Sequence, residues 1–157
     1  MSPPNKEQSI MGKTKGPERA QEMVDVLKRW QSLERQAMSD TAEIIEETKS
    51  PLVTIIMEII RHDSLMHHRV QQFLIDTLTT TNVAVSRDDV ATIWEKIEAH
   101  DKVEKQTIEM AKELREKAWS PIHKQLLDYL FTDESKHDSL LVQLDEVKKG
   151  MSQASGG

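Results

Sequence analysis

Residues 34–70 read ERQAMSDTAEIIEETKSPLVTIIMEIIRHDSLMHHRV, and residues 104–140 read EKQTIEMAKELREKAWSPIHKQLLDYLFTDESKHDSL. Set one above the other, 70 residues apart and without a gap, they share Glu34/Glu104, Gln36/Gln106, Glu43/Glu113, Glu46/Glu116, Ser50/Ser120, Pro51/Pro121, Asp63/Asp133 and His67/His137. Eight identities in 37 positions stand against roughly two expected by chance at ordinary composition. Between them Leu52/Ile122, Ile56/Leu126, Ile60/Leu130 and Val70/Leu140 keep apolar opposite apolar. Similarity at one fixed offset marks a duplicated supersecondary unit.

Each copy carries a Ser-Pro break in its middle, at 50–51 and 120–121. Proline sits comfortably in the first turn of a helix but not in its interior, so each break ends one helix and opens the next. Outward from the breaks, apolar residues recur at helical spacing in four blocks, about 17–49, 52–78, 87–118 and 122–149. Pro17-Glu18 after Gly16 opens the first, and Ser86 with Asp89 three residues on, a capping-box variant, opens the third. The expected architecture is all-α: an antiparallel four-helix bundle over 17–149, built from hairpin repeats 17–78 and 87–149. The polar segments 1–16 and 150–157 are expected to be a disordered and a flexible tail. The link from about Leu78 to Ser86 reaches only about 28 Å when extended. It favours an up-down-up-down order unless Asp76–Ser86 (DTLTTTNVAVS) runs extended along the bundle as a crossover.

Composition agrees and narrows the chemistry. Charged residues make up 31% of the 157, with only five Gly and five Pro, as long amphipathic helices require. The net charge of −6 and the lack of a Lys/Arg stripe argue against nucleic acid. The longest apolar run, Leu52–Ile60, is interrupted by Thr54 and Glu58, which argues against a membrane span and for a cytoplasmic protein. With no cysteine, any bound metal must be held by oxygen and imidazole nitrogen.

Alternating steps of three and four give the stripe Ile56, Ile60, Asp63, His67, Val70, Leu74 in the second helix. The fourth gives Leu126, Leu130, Asp133, His137, Leu140, Leu144. The first helix gives Leu27, Trp30, Glu34, Ala37 or Met38, and Thr41. The third gives Ile97, His100 or Asp101, Glu104, Ile108, Ala111. Glu34 lies 16 residues before Ser50 and His67 lies 16 after Pro51, and Glu104 and His137 repeat this about Ser120 and Pro121. At a constant rise per residue each pair meets at one depth of an antiparallel hairpin. Six groups are thus candidate metal ligands: Glu34, Asp63, His67, Glu104, Asp133 and His137. Carboxylates buried without compensation are costly, and a divalent cation removes the cost. Four carboxylates and two imidazoles suit iron or manganese, with zinc a less specific occupant.

A glutamate on one helix and an acid-plus-histidine pair on the next, given twice, resembles the ferritin-like di-metal carboxylate proteins such as rubrerythrins. That family writes its second and fourth helices as Glu-x-x-His, found here only as Glu134-Ser-Lys-His137, while both halves share Asp-x-x-x-His. Glu134 is therefore an additional or substitute ligand, and Ser64 stands at its place in the first half. His100, one turn before Glu104, is a further candidate ligand or a donor that orients Glu104. His100-x-x-x-Glu104 also resembles hemerythrin-type bundles, a remote alternative. His62, His68 and His123 fall beside the stripes and are expected at the surface or its boundary.

The resemblance implies a metal-binding bundle, di-iron or di-manganese, that reacts with dioxygen or peroxide as an oxidase, ferroxidase or peroxidase. Without a cysteine-borne donor such turnover would need an external reductant. The alternative from another class is a metal-free helical scaffold or interaction protein. A homo-oligomer is compatible with either.

Overall fold

In the computed structural model, residues 6–80 and 87–154 are described, with side chains for 16–80 and 88–150. Among them are four helices and no strand: α1 (Lys6–Glu47), α2 (Pro51–Thr79), α3 (Arg87–Lys117) and α4 (Pro121–Ala154). The chain divides into two compact units, Met1–Val83 and Ala84–Gly157, each holding one hairpin. In the first, α1 packs on α2; in the second, α3 packs on α4. No helix among the described residues is long and apolar enough to cross a membrane.

The Ser-Pro breaks act as the sequence implies. Ser50 caps α2, its hydroxyl accepting a hydrogen bond from the Val53 amide, and Pro51 occupies the first turn. The Thr54 amide then donates to the Ser50 carbonyl at 3.0 Å, and 70 residues later the Lys124 amide donates to the Ser120 carbonyl at 3.0 Å. The preceding helices close alike, Thr48 N–H to Ile44 O and Ala118 N–H to Leu114 O. The duplication holds down to individual backbone bonds.

The outer helix ends differ from the sequence reading. α1 starts at Lys6, not Pro17, and runs through Gly16 and Pro17, while α4 continues through Gly150 to Ala154. A proline inside a helix costs one backbone hydrogen bond, but Lys, Glu, Gln and Met on its N-terminal side are strong helix formers. Thus residues 6–16 are helical instead of a disordered tail. Residues 1–5, 81–86 and 155–157 lie outside the described residues. With them fall Ser86 of the expected capping box, most of the candidate crossover, and the extremes of both tails.

Within each hairpin the helices meet along a heptad seam. On α1 the buried or half-buried positions that follow this spacing are Val24, Leu27, Gln31, Glu34, Met38, Thr41 and Ile45. On α3 they are Val90, Trp94, Ile97, Asp101, Glu104, Ile108 and Ala111. Steps of three and four keep one face turned to the partner helix. Seventy residues are ten heptads, so the repeat keeps its seam. On α2 the seam follows Met57, Ser64, His68, Gln71, Ile75 and Leu78, and on α4 Leu127, Phe131, Glu134, Asp138 and Leu141. Val24, Leu27, Ile75 and Leu78 form the apolar cluster of the first hairpin.

The seams on α2 and α4 lie one residue beyond the stripes read from sequence, about 100° around the helix. Ile56, Ile60, Val70 and Leu74 on α2, and Leu130, Leu140 and Leu144 on α4, stay exposed. A pair of helices buries one strip of each, and on α2 and α4 the richest apolar strip is not the one used within the hairpin.

Candidate metal centre

Glu34 and Glu104 hold equivalent seam positions and are both buried, at 7% exposure. Each is met across its hairpin by the expected histidine. His67 Nδ1 lies 3.2 Å from Glu34 Oε1, and His137 Nδ1 lies 3.5 Å from Glu104 Oε1. The equal-depth argument therefore holds within each hairpin.

The surroundings of the two glutamates differ. In the first hairpin Gln71 Nε2 donates to the same Glu34 oxygen at 3.5 Å, and Gln31 reaches across to Gln72 Oε1 at 3.0 Å and the His68 carbonyl at 3.4 Å. Ser64 is buried. Asp63 is half-buried and makes no hydrogen bond or ion pair among the described residues. His67 reaches Glu34 from the edge of the seam and Asp63 does not, and the α2 residues on the seam itself are Ser64 and Gln71.

In the second hairpin acids and imidazoles gather around Glu104. His100 Nε2 is 2.8 Å from Glu104 Oε1, and His137 Nδ1 is 3.8 Å from Glu134 Oε2. Ligand atoms of Glu104, Glu134 and His137 lie within 4.8 Å of one another. The Thr107 hydroxyl, with one proton to give, lies 2.7 Å from the Glu104 carbonyl oxygen and 2.9 Å from Glu134 Oε2, and so links the second carboxyl to the backbone of α3. Asp133 stands at the edge: Oδ2 is 3.7 Å from His137 Nε2, while Oδ1 accepts from Lys136 at 2.7 Å. Glu134, read from sequence as an additional or substitute ligand beside Asp133, is thus the acid brought to Glu104. The signal that points to it is its place one residue after Asp133, on the seam.

Glu104 Oε2 is buried and has no hydrogen-bond donor. The Glu134 carboxyl beside it is the largest influence on its acidity and holds it below the usual glutamate range, with His100 and His137 acting the same way against desolvation. Two carboxyls at one buried point need a proton or a cation between them. One turn away Asp101 and Asp138 form a second acid pair. Lys105, 2.9 Å from Asp101, lowers Asp101 most, with Asp138 next, and Asp101 in turn raises Asp138. His62 and His123 are exposed and His68 is half-buried, as read from sequence.

Chemically, a buried carboxylate, a second carboxylate held by a hydroxyl and one or two imidazoles form a mixed oxygen and nitrogen donor set of the kind that holds first-row divalent metals. No family model matches the chain, and neither curated proteins nor solved structures give a match.

Proposed function

We propose that this chain is a ferritin-like metal-binding protein with a carboxylate and histidine site for iron or manganese, zinc being a less specific occupant. One observation carries the reading: buried Glu104, with one oxygen lacking any donor, is grouped with Glu134 and His137 inside 4.8 Å. Two carboxylates ionised together in such a place are disfavoured, and a divalent cation supplies the missing charge where a shared proton does not. The side chains of His100 and His137 are 57% and 42% exposed, so solvent reaches the donors. Reaction with dioxygen or peroxide, which the family resemblance implies, needs such an open coordination position.

The bundle belongs to the same proposal. The exposed lines Met23, Trp30, Ile44 on α1, Ile56, Ile60, Val70, Leu74 on α2 and Leu130, Leu140, Leu144 on α4 give each hairpin a second apolar face. An antiparallel four-helix bundle, the architecture expected from the sequence, buries apolar faces of this kind.

Elemental analysis of protein purified from cells supplemented with iron, manganese and zinc tests the metal reading, beside Glu104→Gln and His137→Ala. Metal retained by the parent and lost from both variants is expected. A metal-free parent under all three supplements would leave the scaffold reading in its place.

A further inference from the structure

The two hairpins are near-copies, so positions where they differ show what the second has that the first lacks. Around the shared Glu/His pair, four positions change together. His100 replaces Trp30, Thr107 replaces Ala37, Glu134 replaces Ser64 and Leu141 replaces Gln71. In the first hairpin the buried carboxylate faces His67 and the Gln71 amide, both able to donate to it. Gln71 Oε1, which lacks a donor, belongs to a neutral amide. In the second, the Gln71 position is Leu141, which cannot donate, and the Ser64 position is a second carboxylate, held by Thr107 where the first hairpin has only Ala37.

Two independent observations thus meet at one place. A set of donor side chains is grouped within metal-binding reach, and the glutamate in that set, 93% buried, has an oxygen without a hydrogen-bond partner. Neither is found at Glu34, where His67 and Gln71 both lie within donor reach of Oε1 and no buried Glu34 oxygen lacks a partner. Charge follows the same division: the seam positions 101, 104, 134 and 138 carry four carboxylates, and their counterparts Gln31, Glu34, Ser64 and His68 carry one.

We infer that the chain takes one divalent cation, in the second hairpin, bound by Glu104, Glu134, His137 and His100, and that the first hairpin is a copy in which amide donors replace the ion. This rests on the metal-binding reading above and goes beyond it in nuclearity, location and the role of His100. His100 Nε2, now 2.8 Å from Glu104 Oε1, needs only a small displacement to share an ion with that oxygen. Trp30, in the corresponding place, offers no lone pair.

Zinc alone serves as the probe. The full chain is stripped with chelator, loaded with excess zinc, desalted and analysed for ions per chain, and cobalt(II) absorption then reports the donor set. The expected result is one zinc per chain, retained in His67→Ala and Glu34→Gln and lost in His137→Ala. It is lost too in Glu134→Ser, which installs the residue that the first hairpin already tolerates. Circular dichroism checks that each variant keeps its helicity. His100→Ala is expected to change the cobalt band and weaken binding at least about tenfold, as loss of a group on the metal or beside it does. Two ions per chain, equal loss of zinc from His67→Ala and His137→Ala, or a cobalt spectrum indifferent to His100 would overturn the inference while metal binding stands. No zinc in the parent, with none of the three metals retained from supplemented cells, would remove the metal-binding reading as well.

Discussion

Thr107 illustrates how a single hydroxyl can matter more to binding than to folding. It sits between the Glu104 carbonyl and Glu134 Oε2, so it ties that acid to the backbone of α3. Groups that hold a ligand typically change metal affinity by about 10 to 100-fold when removed. Thr107→Ala, which recreates Ala37 of the first hairpin, is therefore expected to weaken zinc binding by roughly tenfold and to leave the melting temperature of the metal-free chain nearly unchanged. Calorimetric titration beside a melt in chelator separates the two, and equal affinity would show that Thr107 does not position Glu134. Asp138 gives a pH-dependent case. Asp101 raises its pKa, so the folded chain holds that proton more tightly than the unfolded chain. Its stabilising contribution is complete below the ordinary carboxylate range and is lost as pH rises through the raised value. Asp101 runs oppositely: its lowered pKa favours the fold above the ordinary range, a gain lost as pH falls through the lowered value. In chelator, Asp138→Asn should therefore melt higher than the parent near pH 7, with the gap closing toward about pH 4. A gap independent of pH would show that the two acids do not interact. At this scale the sequence reveals Glu34, His67, Glu104 and His137 because they recur at matched distance from a break. It ranks Asp133 above Glu134 because recurrence favours a shared residue, whereas packing is decided by helix phase, and one residue turns a side chain by about 100°.

Local chemistry determines where the inner helix ends fall. Ser50 and Ser120 precede Pro51 and Pro121, and in both hairpins the same backbone bonds close one helix and open the next. Ser50 also accepts from the Val53 amide through its side chain. Ser50→Ala is expected to cost about 1 kcal/mol, the usual value of such a cap. Urea unfolding of the metal-free chain would show it as a lower midpoint with an unchanged slope, and no shift would mean that the 3.4 Å contact contributes nothing. The seam is a second feature of the elements. Leu27 is buried with Val24 and Ile75, so Leu27→Ala should destabilise the chain by about 2 kcal/mol, the low end for a buried leucine, since a two-helix seam can partly close around the gap. Both breaks are legible because a proline leaves few options. The outer ends are less so: the proline that reads as a start at residue 17 lies inside α1, where good helix formers on both sides carry the helix past it. The seam of α2 is obscured for another reason. Its apolar residues cover more than one strip, and the strip that packs on α1 holds Ser64, His68 and Gln71, which look like surface residues when read in one dimension.

At the scale of the whole chain, the 70-residue offset is the most legible feature, since a whole number of heptads carries every seam position of one hairpin onto the other. What it conceals is the difference between the copies, because an alignment that rewards identity passes over Trp30/His100, Ala37/Thr107, Ser64/Glu134 and Gln71/Leu141. On the inference above, those substitutions would divide the labour: one hairpin hydrogen-bonds its buried acid with its own donors, and the other would leave that task to an ion. Stability should therefore depend on metal through the second hairpin only. A ligand bound to the folded chain alone stabilises it by mass action, by about 2.7 kcal/mol when its free concentration is a hundredfold above Kd. Zinc at that excess should raise the melting temperature of the parent and of His67→Ala to similar extents. It should leave Glu134→Ser where chelator leaves it. Each tenfold further increase in free zinc should add about 1.4 kcal/mol, so the parent's melting temperature should climb steadily with the logarithm of zinc concentration. A rise that levels off at higher zinc would mean that the unfolded chain also binds the ion, more weakly, and no rise at all would mean that the seam of the second hairpin confers no selective hold on it.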